Sequence, residues 1–219
     1  LVFQAIILSM DTLNFSDGAE IENEAHYMLN YGKFSGERYF LVYPNNITPT
    51  IILYWIYRIA AFLHISEVWM LHIFCFLVTT ATIFLTYKTA GKLLTKQKQT
   101  IILGLMILYI PFQMYSLFYY SDTLMVIMVA LIIYVLIPSD GSFIFRTKHI
   151  VAVAILVAFA WNLRSNIIII LPALIVYLLF FKWYKNLILL LVTFGIAFIF
   201  FGKGFDMLWA HYGFWKDDG

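Results

Sequence analysis

Charge is what this chain has least of. Lys, Arg, Asp and Glu make up 12% of its 219 residues, against about 25% in a soluble domain. Hydrophobic residues reach 63% and the mean hydropathy is +0.88. Those values exclude a water-soluble globular domain and make the chain an integral membrane protein. The net charge of +2 comes with no basic tract interleaved with polar sequence, so a nucleic-acid partner is excluded. There is one cysteine, Cys75, inside an apolar run, which rules out an intrachain disulfide and a cysteine-based metal site. Internal repeats and low-complexity segments are lacking as well. His26, His64, His72 and His211 have no metal-ligand spacing and read as interfacial or packing residues. Neither a charged n-region nor a small-residue cleavage site marks a signal peptide.

Long apolar runs are what is present. Segments near 68–87, 100–120, 121–137, 150–163, 165–181 and 186–202 approach the ~20 residues that a bilayer-spanning helix requires. The ten residues Leu1–Met10 are too few to span alone. They are expected to be the tail of a first transmembrane helix, and the chain a fragment of a longer protein. Three short loops carry Lys88, Lys92, Lys96 and Lys98, then Arg146 and Lys148, then Lys182 and Lys185; the positive-inside bias makes them cytoplasmic. Asp140 is the only acid that shares those loops. The other eleven of the twelve carboxylates fall on the opposite side.

Segment 48–65 decides the topology. If it crossed, the acidic loop 11–47 would join the basic loops on the cytoplasmic face. It is short, starts at Pro49, and carries Arg58 beside Tyr54, Trp55 and Tyr57, a composition suited to the headgroup region. It is therefore read as a helix lying in the outer interface. The expected fold is an all-α membrane protein of about seven transmembrane helices, with juxtamembrane helices in the first extracytoplasmic loop. Residues 1–219 form one module: 11–67 the first outer loop, 68–202 six transmembrane helices, and 203–219 the start of another outer loop. Segments 150–163 and 165–181 form a tight hairpin whose turn, Trp161-Asn162-Leu163-Arg164-Ser165-Asn166, dips below the outer surface.

Three charged residues at that outer side stand out, each with two readings. Asp17 opens Ser16-Asp17-Gly18-Ala19-Glu20-Ile21-Glu22-Asn23-Glu24. Residues 18–31 are predicted as a helix with Ile21, Ala25, Met28 and Leu29 on one face and Asp17, Glu20, Glu24 and Tyr27 on the other. Asp17 and Glu20 suit a capping box. Pattern alone favours the cap, but a capping carboxylate keeps lone pairs facing outward. Asp17 could therefore also serve as a general base or ligand for a lipid-borne substrate, and the acidic cluster leaves a divalent cation open. Ser121-Asp122 suits a helix cap, or a site at the hydrocarbon edge. Arg164 suits snorkelling, or bidentate binding of a phosphate at headgroup depth. Tyr39, Phe40, Tyr43, Tyr115, Tyr119 and Tyr120 gather in the outer loops, where they could stack on a sugar. Asn14-Phe15-Ser16 and Asn46-Ile47-Thr48 are glycosylation sequons that would report topology in a glycosylating lumen.

Taken together, Asp17, Met28-Leu29-x-x-Gly32, Tyr39-Phe40 and Pro44 resemble the opening pattern of the GT-C glycosyltransferases. The nearest branch holds the protein O-mannosyltransferases and the lipid A aminoarabinose transferase. Ser121-Asp122-Thr123-Leu124 and Leu163-Arg164-Ser165-Asn166, leading into Leu171-Pro172-Ala173-Leu174, are similar to later elements of that pattern. The chain departs from it at Gly18, where a second acid is frequent, and at Val42-Tyr43-Pro44-Asn45-Asn46, where a Lys-Pro-Pro or His-Pro-Pro is usual. The resemblance implies a multi-pass plasma-membrane glycosyltransferase, transferring a hexosyl or pentosyl group from a polyprenyl-phosphate sugar at the extracytoplasmic face. The acceptor would be a lipid, a protein or a cell-envelope glycan. Asp17 and Asp122 would be catalytic and Arg164 would hold the donor phosphate, with Glu20, Tyr43 and Tyr119 near sugar or acceptor. No cofactor is required beyond a divalent cation left open. The alternative reading is a transporter or flippase of lipid-linked intermediates. Its expected signs, mid-span charges and two interrupted half-repeats, are weak here.

Overall fold

The computed structural model describes residues 17–36, 38–117, 119–139 and 146–214. Leu1–Met10, Asp140 and the sequon at Asn14 lie outside the described residues. Among the described residues every regular element is helical, as expected of backbone that must satisfy its own hydrogen bonds in lipid. The order is α1 (Asp17–Tyr31), α2 (Arg38–Val42), a 3-10 turn (Pro44–Asn46), α3 (Ile47–Leu63), α4 (Glu67–Leu93), α5 (Lys96–Leu108) and α6 (Ile110–Gln113), which runs into a second 3-10 turn (Met114–Ser116). Then come α7 (Ser121–Leu136), α8 (Thr147–Trp161), a 3-10 turn (Ser165–Ile169), α9 (Ile170–Phe180) and α10 (Tyr184–His211).

Three helical stretches are long and apolar enough to cross a membrane: Pro44–Leu63, Glu67–Leu93 and Tyr184–His211. A fourth is the pair Lys96–Leu108 and Ile110–Ser116, bent by 66°. Segment 100–120 therefore differs from the single span expected of it. Pro111 sits at the start of α6 and Tyr109 is extended at φ −76°, ψ 90°. Proline lacks an N–H and clashes with the preceding turn, so it opens a new helix instead of continuing the old one. Ser121–Leu136, Thr147–Trp161 and Ser165–Phe180 are apolar but shorter. Segment 48–65, expected in the interface, forms a helix that by length and composition alone belongs with the candidate spans, with 61% of its window buried.

The chain divides into two compact units. The first gathers the described residues up to Thr80, Tyr109–Leu124, and those from Gly204 onward. Its core is α1 against α3: Ile21, Ala25 and Met28 are fully buried, as are Phe40, Ile47 and Ala60. Spaced at i, i+4 and i+7, the three α1 residues form one apolar stripe. Glu24 lies on that buried side at 2% exposure, not on the polar face predicted for it. Its carboxylate accepts the Ser35 N–H at 2.6 Å and the Ser35 hydroxyl at 2.5 Å, which offsets the cost of burying it. At Gly32, φ is +72° and its N–H donates to the Met28 carbonyl at 2.7 Å, a left-handed helix stop that glycine makes at least cost.

Polar contacts bind the other segments to this core. The Tyr57 hydroxyl donates to Glu22 Oε1 at 3.2 Å. His26 stacks on Tyr57 with 4.8 Å between ring centroids, and its Nδ1 lies 3.2 Å from Glu67 Oε2. Trp209 Nε1 donates to Thr48 Oγ1 at 3.2 Å, and the Phe34 N–H donates to the Tyr212 carbonyl at 2.9 Å.

The second unit comprises Ala81–Leu108 and the described residues of Met125–Lys203. Here α8 buries Ile150, Val153, Ala154, Val157, Ala158 and Ala160; its alanines let neighbouring helices approach closely. Lys92 Nζ donates to the carbonyls of Tyr134 and Ile137 at 2.6 and 2.8 Å and lies 3.6 Å from the Tyr134 ring centroid. It thereby satisfies carbonyls that the end of α7 leaves without intrahelical partners.

Candidate functional site

Asp17 does not spend its carboxylate on its own helix. The residue is already helical, and its Oδ2 accepts a hydrogen bond from the Tyr120 hydroxyl at 3.0 Å, across 103 residues of sequence. The local capping box gives way to a tertiary contact. Tyr39, on α2, stands close enough to the same carboxylate for the Asp17 charge to act on its hydroxyl. The Tyr39 hydroxyl oxygen in turn accepts from Asn46 Nδ2 at 2.5 Å, and Asn46 Oδ1 accepts from Asn45 Nδ2 at 3.1 Å. Four elements of the first unit thus meet: the start of α1, α2, the turn before α3, and the turn before α7.

Electrostatics at this cluster run one way. Burial, then the Asp17 charge and its hydrogen bond, hold the Tyr39 hydroxyl above the usual phenol range. Burial, then the hydrogen bond to Asp17 and its charge, raise Tyr120 as well. Both phenols therefore stay protonated, and Asp17 accepts the Tyr120 proton.

The remaining residues expected at the site lie as follows. Asp122 is half-buried in the first turn of α7, two residues from Tyr120 and between the buried Ser121 and Thr123. Glu20 is half-buried in the first turn of α1. Tyr43 is exposed, its ring tilted against Tyr39 at 5.1 Å, so an aromatic face borders the cluster. Tyr119 is buried to 1% exposure and gives its hydroxyl to the Pro49 carbonyl at 2.8 Å, while its neighbour Tyr120 reaches Asp17. The sequon residue Asn46 is 1% exposed with its amide engaged, so it cannot take a glycan in the folded chain. Tyr39, Tyr120 and Asn46 were legible as aromatics or as a sequon, but no local signal joins them to Asp17.

Arg164 belongs to the second unit. It is half-buried and extended, at φ −161° and ψ 124°, just ahead of the Ser165–Ile169 turn. Ser165 and Asn166 beside it are exposed, and Asn162 Nδ2 donates to the Ala158 carbonyl at 3.1 Å. Among the described residues, no group of three or more His, Cys, Asp or Glu side chains stands where it could hold a metal ion.

No curated protein and no solved structure matches the chain. The profile of the dolichyl-phosphate-mannose-protein mannosyltransferase family matches residues 48–202. That range takes in Asp122 and Arg164 and begins just after Asn46. The helical membrane architecture and a match over most of the chain establish that it belongs to this family of GT-C membrane glycosyltransferases.

Proposed function

We propose that the protein moves a sugar from a polyprenyl-phosphate donor to an acceptor hydroxyl at the extracytoplasmic face of the plasma membrane. The family match supports the donor class. The observation that carries the placement of the site is the hydrogen bond from Tyr120 to Asp17. It ties the acid at the head of α1 to the turn that carries Asp122.

The same contact supports the expected topology. Residues 17 and 120 are separated by α3, α4 and the bent pair α5–α6; since they touch, an even number of crossings lies between them. With α4 and the bent pair crossing, α3 stays on one side. A second tie, from Phe34 to Tyr212, requires an even number of crossings up to the end of α10. Counting α4, the bent pair, α7, α8, the 165–180 segment and α10 as crossings satisfies it. Helix α1 packs along α3 with Glu20, Glu22 and Glu24 on it. An α3 that crossed would bring those carboxylates into hydrocarbon, where each is costly. The basic loops on the other side favour an outward-facing Asp17.

In the proposed reaction the acceptor oxygen bonds to the anomeric carbon and its proton passes to the Asp17 carboxylate. The bond from that carbon to the phosphate oxygen breaks, and the electron pair leaves on the phosphate. Asp122 assists in orienting the acceptor; for Arg164, in the second unit, the proposed role is binding a donor phosphate through its guanidinium fork. Glu20 and Tyr43 border the sugar or acceptor. Phosphate is a good leaving group, so alignment and proton removal are the main demands on the protein. Asp17→Asn should reduce transfer of radiolabelled mannose from polyprenyl-phosphate mannose in membranes by roughly 100-fold or more, the scale of a lost general base. Undiminished transfer at normal expression would remove Asp17 from the mechanism.

A further inference from the structure

The hydrogen bonds around Asp17 have a direction. Tyr39 accepts from the buried Asn46 amide at 2.5 Å, so this contact does not use its single proton. Tyr120 brings its own proton to Asp17 Oδ2 at 3.0 Å from a turn 103 residues away. A carboxylate oxygen has two lone pairs, so this donor orients the group without using all of its acceptor sites. Asn46 is itself braced by Asn45 at 3.1 Å, and Tyr39 is packed against Phe40 and Tyr43 at 5.0 and 5.1 Å. Tyr120 is not the base, because it is already giving its proton to Asp17.

We infer that Tyr39 gives its remaining proton to Asp17 beside Tyr120, and that both are positioning residues of the transfer reaction: their hydroxyls clamp the Asp17 carboxylate so that its remaining lone pairs face the acceptor hydroxyl. The inference rests on the role proposed for Asp17, and it adds two residues that need not touch the sugar.

The test uses the full chain in membranes, supplied with radiolabelled polyprenyl-phosphate mannose and read as label moved into protein and lipid fractions. Tyr120→Phe and Tyr39→Phe keep the ring and remove only the donor. Each should lower kcat by about tenfold, the scale of one hydrogen bond to a charged group, with the donor KM within about twofold. In an Asp17→Asn background the same changes should cost nothing further. A wild-type kcat in both phenylalanine variants, with Asp17→Asn impaired, would overturn the clamp and leave Asp17 standing. Full activity of Asp17→Asn would overturn both. An equal loss on top of Asp17→Asn would make the tyrosines structural and overturn the clamp alone. If Tyr39→Phe does not fold, Tyr120→Phe carries the decision, since its ring is only half-buried.

Discussion

The Tyr39 hydroxyl accepts from Asn46, and its chemistry can be followed with pH. Its pKa is raised by burial and by Asp17, so the folded state keeps this proton longer than the unfolded chain does. Any stability from the contact is then fully present below the unfolded tyrosine range and is lost as pH rises through the folded value. Wild type should therefore be more stable than Tyr39→Phe at neutral pH, and the gap should narrow above about pH 10. Thermal unfolding of both proteins in detergent between neutral and alkaline pH reads this directly; a gap that widened would mean that the Tyr39 proton is not the stabilising one. At this scale the sequence marked Asp17, Asp122 and Arg164 because charge is rare near lipid. It placed Glu24 on the wrong face of α1, because a carboxylate counts as polar in any periodicity argument. Burial of Glu24 depends on Ser35, which lies beyond the helix and outside its repeat.

Elements are held by their ends. Gly32 has φ +72°, and nothing lies within 4 Å of where a Cβ would stand. Gly32→Ala should therefore destabilise the protein by about 1 kcal/mol through backbone conformation alone. Lys92 serves the end of a helix other than its own. Lys92→Met keeps the aliphatic stem but leaves the Tyr134 and Ile137 carbonyls without this donor, at a cost of about 1–3 kcal/mol. Lower thermal stability with the helical circular-dichroism signal intact would check each; no change in Lys92→Met would show that water or lipid replaces the ammonium. The apolar runs were legible as helices throughout, because a run of that length has few other ways to satisfy its backbone. Their breaks were less so. Pro111 was visible, yet whether it bends a span or ends one depends on what Tyr109 does just before it.

For the whole molecule the decisive quantity is the parity of membrane crossings. In a Cys75→Ala background, Asn23→Cys on the exposed side of α1 should react with a membrane-impermeant maleimide added outside intact cells. Lys98→Cys, exposed at the start of α5, should react only after the membrane is opened. The reverse pattern would turn the proposed face inward and sink the extracytoplasmic reading. Composition alone determined that the chain lives in a membrane, that its elements are helices, and where its charges are rare enough to matter. Those follow from the cost of bare backbone and bare charge in hydrocarbon, which each residue carries wherever the fold puts it. Only the tertiary structure decided which partners meet. A hydrogen bond between Asp17 and Tyr120 needs two distant turns brought to within 3.0 Å. Nothing in the spacing of either turn encodes that, because the pairing is fixed by how α1 and α3 pack, not by any local repeat.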